Sequence, residues 1–131
     1  MIPFSPSRSG NTTFLQRQQI LEHFGVSSVI REVKLDKNDN VSMDTINDLA
    51  DWVSEGKGVI ISVEGGSFYD DLRYNGMGHA VTVTSVKKDK NGRVCGFYIA
   101  DSNTGTSYYP EGRIRDAMRN VGINVTSQII R

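Results

Sequence analysis

The chain has 131 residues, 37% of them hydrophobic, with 15 basic and 15 acidic side chains and zero formal net charge. That balance suits one globular domain, residues 1–131, with one core, and excludes a disordered chain. It offers no general attraction to nucleic acid or to an anionic membrane, although a local basic patch is compatible with it.

No apolar run approaches a membrane span, and Met1-Ile2-Pro3-Phe4-Ser5-Pro6 lacks the basic-then-apolar order of a secretory signal. The single Cys95 excludes an internal disulfide and a cysteine-based zinc site. With only His23 and His79, a histidine-rich metal site is not expected either. The reading is therefore of a domain without a cofactor.

Residues 1–10 are rich in Pro, Ser and Gly, which favours extended chain. Asn11, Thr12 or Thr13 is placed to cap a helix running to about His23, with Gly25 as its stop. Phe14, Gln18, Leu21 and Phe24 fall near one face, flanked by Leu15 and Ile20, and Gln16, Arg17 and Gln19 are expected in solvent. Val29 to Leu35 reads as a short strand. Ser42 caps a second helix, about Met43 to Ser54, whose stripe is Ile46, Leu49, Ala50 and Val53. Gly56 ends it, and Val59-Ile60-Ile61-Ser62-Val63 has the unbroken apolar character of a central strand.

Glu64 to Gly78 reads as a long glycine-bearing loop with Phe68, Tyr69 and Tyr74, a type of segment that often carries function. Its glycines do not have phosphate-loop spacing. Asp70-Asp71 reads as a solvated pair. Beyond residue 100, Ser102-Asn103-Thr104-Gly105 turns into Ser107-Tyr108-Tyr109. Glu111 to Arg119 forms a short helix with Ile114, Ala117 and Met118 inward, and residues 121–130 form a last strand.

The most informative stretch lies between that loop and that turn. Gly78 to Val86 and Cys95 to Asn103 alternate apolar and small polar residues around Asn91-Gly92, the signature of a hairpin. A two-residue loop would put His79 and Asp101 on opposite faces. A three-residue loop, Lys90-Asn91-Gly92 with Gly92 left-handed, pairs Asp89 with Arg93, Val81 with Asp101 and His79 with Asn103. It gathers His79, Val81, Val83 and Ser85 with Cys95, Phe97, Ile99, Asp101 and Asn103 on one face, and is preferred because it groups the larger core residues. An imidazole then meets a carboxylate at the ribbon's rim, facing the beginning of the leading helix. A carboxylate beside a histidine fixes its tautomer and supports its charged form, the base-and-orienter arrangement of nucleophilic catalysis.

Two helices followed by a mostly antiparallel sheet that bears His and then Asp resembles the papain-like superfamily. Gly56 to Val63, Gly78-His79-Ala80-Val81-Thr82-Val83 and Ile99-Ala100-Asp101-Ser102-Asn103-Thr104-Gly105 resemble its bacteriocin-leader peptidases, over about half the chain. The resemblance implies an α+β fold with N-terminal helices packed on the sheet. It makes His79 the general base and Asp101 its orienter, with Asn103 as a second candidate. It also implies a Cys-Gly at the start of the first helix, where this chain has Ser9-Gly10-Asn11-Thr12, so Ser9 and Thr12 are the candidate nucleophile positions. The family's oxyanion glutamine has no counterpart in residues 1–8. Cys95 cannot substitute, because it lies six positions from Asp101 on one strand, roughly 20 Å at about 3.3 Å per residue. It is expected to be a small buried hydrophobe.

Three functions compete. The first is a papain-like hydrolase or acyl-transfer domain, resembling the terminal toxin modules of larger bacterial effectors. Such a module is delivered into a target cell's cytoplasm and opposed by an immunity protein. The second is a metal-independent ribonuclease toxin in which His79 moves the proton while Thr12, Tyr74, Arg73 or Arg113 lies near the phosphate. It predicts a local basic groove. The third is a non-catalytic module gripping an extended peptide with Tyr69 and Tyr74. The substrate is thus protein, peptide or RNA; neither DNA nor a membrane is expected.

Overall fold

A computed structural model describes residues 13–102 and 104–129. Ser9, Thr12, Asn103 and the extended segment expected at residues 1–10 lie outside the described residues. The elements, in order, are α1 (Phe14–His23), β1 (Ser28–Arg31), α2 (Met43–Ser54), β2 (Lys57–Glu64), α3 (Gly65–Tyr69), β3 (Gly78–Lys88), β4 (Val94–Asp101), β5 (Gly105–Pro110), α4 (Glu111–Ala117) and β6 (Ile123–Ile129). A 3-10 turn covers Leu72–Tyr74. The fold is α+β, with four helices on a six-stranded sheet of order β1-β6-β2-β3-β4-β5 in which every pair of neighbours is antiparallel.

One face of this sheet holds the core. Val59, Ile61 and Val63 of β2, Val81 and Val83 of β3, Phe97 and Ile99 of β4 and Ile123 and Val125 of β6 alternate onto it, and all are essentially buried. α2 closes this face with Ile46, Leu49 and Ala50, and α4 adds Ile114 and Ala117. The Ser42 side chain caps α2 by accepting the Thr45 N–H, so both the position and the buried stripe of α2 agree with the pattern of its residues.

α1 packs on the other face, against β1 and β6. Thr13 caps it in a reciprocal box with Gln16, and its inward residues are Phe14, Arg17, Gln18 and Leu21, an i, i+3, i+4, i+7 set. Arg17 is therefore not in solvent as its charge suggested. It is 6% exposed, with Nε donating to Asn124 Oδ1 at 2.9 Å and Nη2 to Ser62 Oγ at 2.8 Å. Phe24, expected inward, is exposed instead.

Other expectations need correction. β1 stops at Arg31, and Leu35 makes only an isolated bridge with Val41. The stretch from Glu64 to Gly78 is not one open loop, since it contains α3 and the 3-10 turn. Its first glycines serve close packing. A Cβ on Gly65 would lie 2.9 Å from Tyr74 Cβ, and one on Gly66 would lie 2.9 Å from Asn75 Cα.

Candidate active site

The β3–β4 ribbon carries the chemistry. Asp89 N–H donates to Arg93 O at 2.9 Å and Gly92 has φ of 80°, so the turn is the three-residue type. Thr82 pairs with Ala100 and Val83 with Ile99, which puts Val81 level with Asp101 as expected. Between these ends the pairing is less regular. Thr84 is an extra residue in β3 and Cys95 an extra residue in β4, and the two bulges cancel. The middle of β3 is thereby inverted. Ser85 is exposed and Val86 packs on the core in its place. Cys95 is half-buried at its bulge and not a core residue, and Val94 takes the buried position.

At the open end, His79 pairs with Val63 of β2 and shares its core-facing side. Its Nε2 lies 2.7 Å from Asp101 Oδ1, with side-chain exposures of 14% and 0%. Tyr69 of α3 donates its hydroxyl to Asp101 Oδ2 at 2.5 Å, and Thr104 donates to the same oxygen at 3.2 Å. A carboxylate only accepts, so Nε2 carries a proton, and in the neutral imidazole the lone pair is then on Nδ1. Nδ1 has no hydrogen-bond partner among the described residues. Among the described residues, Tyr69, Thr104 and His79 each donate to Asp101, and Asp101 in turn holds the imidazole ring.

The surroundings are aromatic. The Tyr69 ring centroid is 6.0 Å from that of His79 and 4.9 Å from that of Tyr74. Phe68 extends the wall by stacking on Tyr109 at 4.3 Å. Glu64 builds the connection that positions it. Its carboxylate accepts N–H bonds from Ser67, Gly66 and Gly76, and these bonds hold its pKa down at about 2. One side chain thus joins the start of α3 to the segment that re-enters at β3.

The other expected site residues divide. Tyr69 is at the centre, but it orients Asp101 instead of only lining a substrate groove. Tyr74 lies one ring further out. Arg73 is bound to Asp71 at 2.7 Å, a pairing that keeps the Asp71 carboxyl below its usual range, and its guanidinium lies over Tyr74. Arg113 lies 4.0 Å from Asp70 and lines a separate cleft of about 490 Å³ with Ser67, Pro110 and Asp116. A second cleft, about 530 Å³, lies between Leu35, Asn40, Arg115 and Met118. Neither cleft is lined by His79 or Asp101. Of the arginines expected near a phosphate, each faces a carboxylate, Arg73 that of Asp71 and Arg113 that of Asp70.

The approach of the leading helix also differs from expectation. Ser62, which Arg17 of α1 touches, pairs with Ala80, so α1 covers the face opposite His79. Its amino end, at Phe14, lies against Gly122 and Ile30. No hydroxyl or thiol among the described residues bonds to His79. Nor does any group of three or more His, Cys, Asp or Glu among them offer a metal site. No described helix is long and apolar enough to cross a membrane.

Two contributors escaped the sequence reading. Thr104 stands three residues after Asp101, a spacing at which a short hydroxyl side chain folds back on its own turn. Glu64 directly precedes a glycine pair and a helix start, where a carboxylate finds unpaired N–H groups. No family model matches the chain, and neither a curated protein nor a solved structure does.

Proposed function

We propose that the chain is a hydrolytic toxin or effector domain with a papain-like arrangement, in which His79 acts as general base through Nδ1 and Asp101 orients it. One observation carries this reading. A nearly buried imidazole is tied by Nε2 to a carboxylate 2.7 Å away, and its second nitrogen has no hydrogen-bond partner among the described residues. Tyr69 and Thr104 hold Asp101 from behind, so the imidazolium formed when Nδ1 takes a proton is stabilised where it arises. The hydroxyl that surrenders this proton belongs to Ser9 or Thr12 in the acyl-transfer form of the proposal, which gives a protein, peptide or acyl substrate.

A second reading draws support from the position of α1. With that helix on the opposite face and no described hydroxyl on His79, a substrate that carries its own nucleophile is a natural partner. In RNA the 2′-hydroxyl loses its proton to Nδ1 and attacks the neighbouring phosphorus. The 5′-oxygen then departs and takes a proton from water, leaving a cyclic phosphate. Expression of the wild type and of His79→Ala in bacteria, with total RNA and total protein analysed, tests both readings. Growth arrest that depends on His79 with fragmented RNA selects the ribonuclease, and the same dependence with intact RNA selects acyl chemistry. Arrest that survives His79→Ala overturns both and leaves a peptide-binding module. Partners under the first reading include an immunity protein, and the delivered domain would act in the cytoplasm of its target cell.

A further inference from the structure

The outer face of β3, β4 and β5 is chemically unlike the rest of the molecule. α1 packs against β1 and β6 on this side of the sheet, and among the described residues no helix covers the last three strands there. By the pairing, Ala80, Thr82, Ser85 and Lys87 of β3, Gly96, Tyr98 and Ala100 of β4, and Thr106, Tyr108 and Pro110 of β5 share it. None of these carries a negative charge. Tyr98 and Tyr108 pair directly, with ring centroids 5.4 Å apart, and each keeps more than a third of its surface, 39% and 37%. Lys87 Nζ lies 5.4 Å from the Tyr108 ring centre.

Tyr108 lies across Gly96, where a Cβ would meet its ring at 2.7 Å. Covering a glycine accounts for that one ring. It accounts neither for an exposed Tyr98 beside it nor for the cations beyond. Lys88, Lys90 and Arg93 follow at the turn, all exposed. The one acid among them, Asp89, spends a carboxylate oxygen on the N–H groups of Asn91 and Arg93. A locally basic end therefore adjoins two half-exposed rings on a chain that is neutral as a whole.

We infer that this face binds a single-stranded polynucleotide, with bases stacking on Tyr98 and Tyr108 and phosphates lying along Lys87, Lys90 and Arg93. Flat rings and regularly spaced negative charge are what exposed aromatics beside cations fit best. An acidic peptide would meet the charge but leave the rings unused. The inference does not depend on the chemistry of His79, which sits on the other face of the sheet.

The test is fluorescence anisotropy of a labelled 15-nucleotide single strand of mixed sequence, made as RNA and as DNA, with the purified full chain across a salt series. Binding is expected to weaken with salt. Tyr98→Ala should weaken it about fivefold or more, as should Tyr108→Ala, whereas Tyr98→Phe should bind like the wild type. The double change Lys87→Gln and Lys90→Gln should lower the salt slope by about 1.4. Either polymer preference fits the proposal and identifies the source. Three results overturn it: no binding by the wild type, Tyr98→Ala binding as tightly as the wild type, or polyglutamate competing as well as the nucleic acid. Should Tyr108→Ala not fold, Tyr98→Ala and the lysine pair carry the test alone.

Discussion

Among the described residues two charged side chains, Arg17 and Asp101, are nearly buried, on opposite faces of one sheet, and their surroundings differ. Arg17 reaches from α1 to Asn124 and Ser62, and Asn124 passes the connection back by donating to Phe14 O. Burial pulls the Arg17 guanidinium below its ordinary pKa, and the amide and hydroxyl satisfy donors that water would otherwise take. Asp101 is fixed as firmly by Tyr69, Thr104 and His79. Its cluster ends in an imidazole nitrogen with no hydrogen-bond partner among the described residues, whereas Arg17 joins a helix to the sheet beneath it. A buried charge therefore does not mark a functional site by itself; capacity left over after the fold is satisfied does.

The largest effect should come from Asp101→Asn. An amide cannot stabilise the imidazolium, so the activity that depends on His79 should fall by about 10²-fold or more. Growth arrest titrated against expression level would measure it, and an unimpaired variant would remove Asp101 from the chemistry. Next is Arg17→Met, which leaves buried Asn124 Oδ1 and Ser62 Oγ without their donor. A stability loss of about 2–3 kcal/mol is expected in chemical denaturation, with activity per folded molecule unchanged. Lost activity at retained stability would erase the distinction between the two faces.

Tyr69→Phe removes one of the donors that Asp101 has among the described residues and keeps the ring wall. Stability should fall by about 1 kcal/mol and activity only severalfold, because Thr104 and His79 still hold the carboxylate. The smallest effect concerns Glu64. Its folded pKa of about 2 lies below an unfolded value of about 4.3. Its contribution to stability is therefore complete above about pH 4.3 and is lost as pH falls through about 2. Glu64→Gln should flatten acid unfolding in that window, and more clearly at low salt, since the side chain is near the surface. Equal acid curves would mean that the three N–H bonds to Glu64 contribute little.

Much of this was legible in the residues. Ser42 and the stripe Ile46, Leu49 and Ala50 located α2, and Gly25 marked the close of α1. Asn91-Gly92 set a register that brought His79 to Asp101. Arg17 was misplaced because it bears a charge on a weakly amphipathic helix, and partners far away in the chain, the amide on β6 and the hydroxyl on β2 among them, make that position hospitable. Ser85 and Cys95 were misassigned because two compensating bulges leave both ends of the ribbon in register and invert only its middle. Strict alternation has no means of signalling such a pair. The likeness to papain-like domains, from which Ser9, Thr12 and Asn103 followed, remains a proposal about residues outside those described.

Local chemistry in the chain determined the helix caps, the hairpin turn, the alternation that buries the core strands, and the nearness of an imidazole to a carboxylate. Those properties act over a few residues or across a single turn, where backbone geometry leaves few choices. Only the tertiary structure decided which face each helix covers, that Tyr69 supports Asp101 from a neighbouring helix, and that Tyr98 and Tyr108 stay open beside lysine. Such outcomes depend on partners far apart in the chain, and packing selects among faces that the pattern of residues alone leaves equivalent.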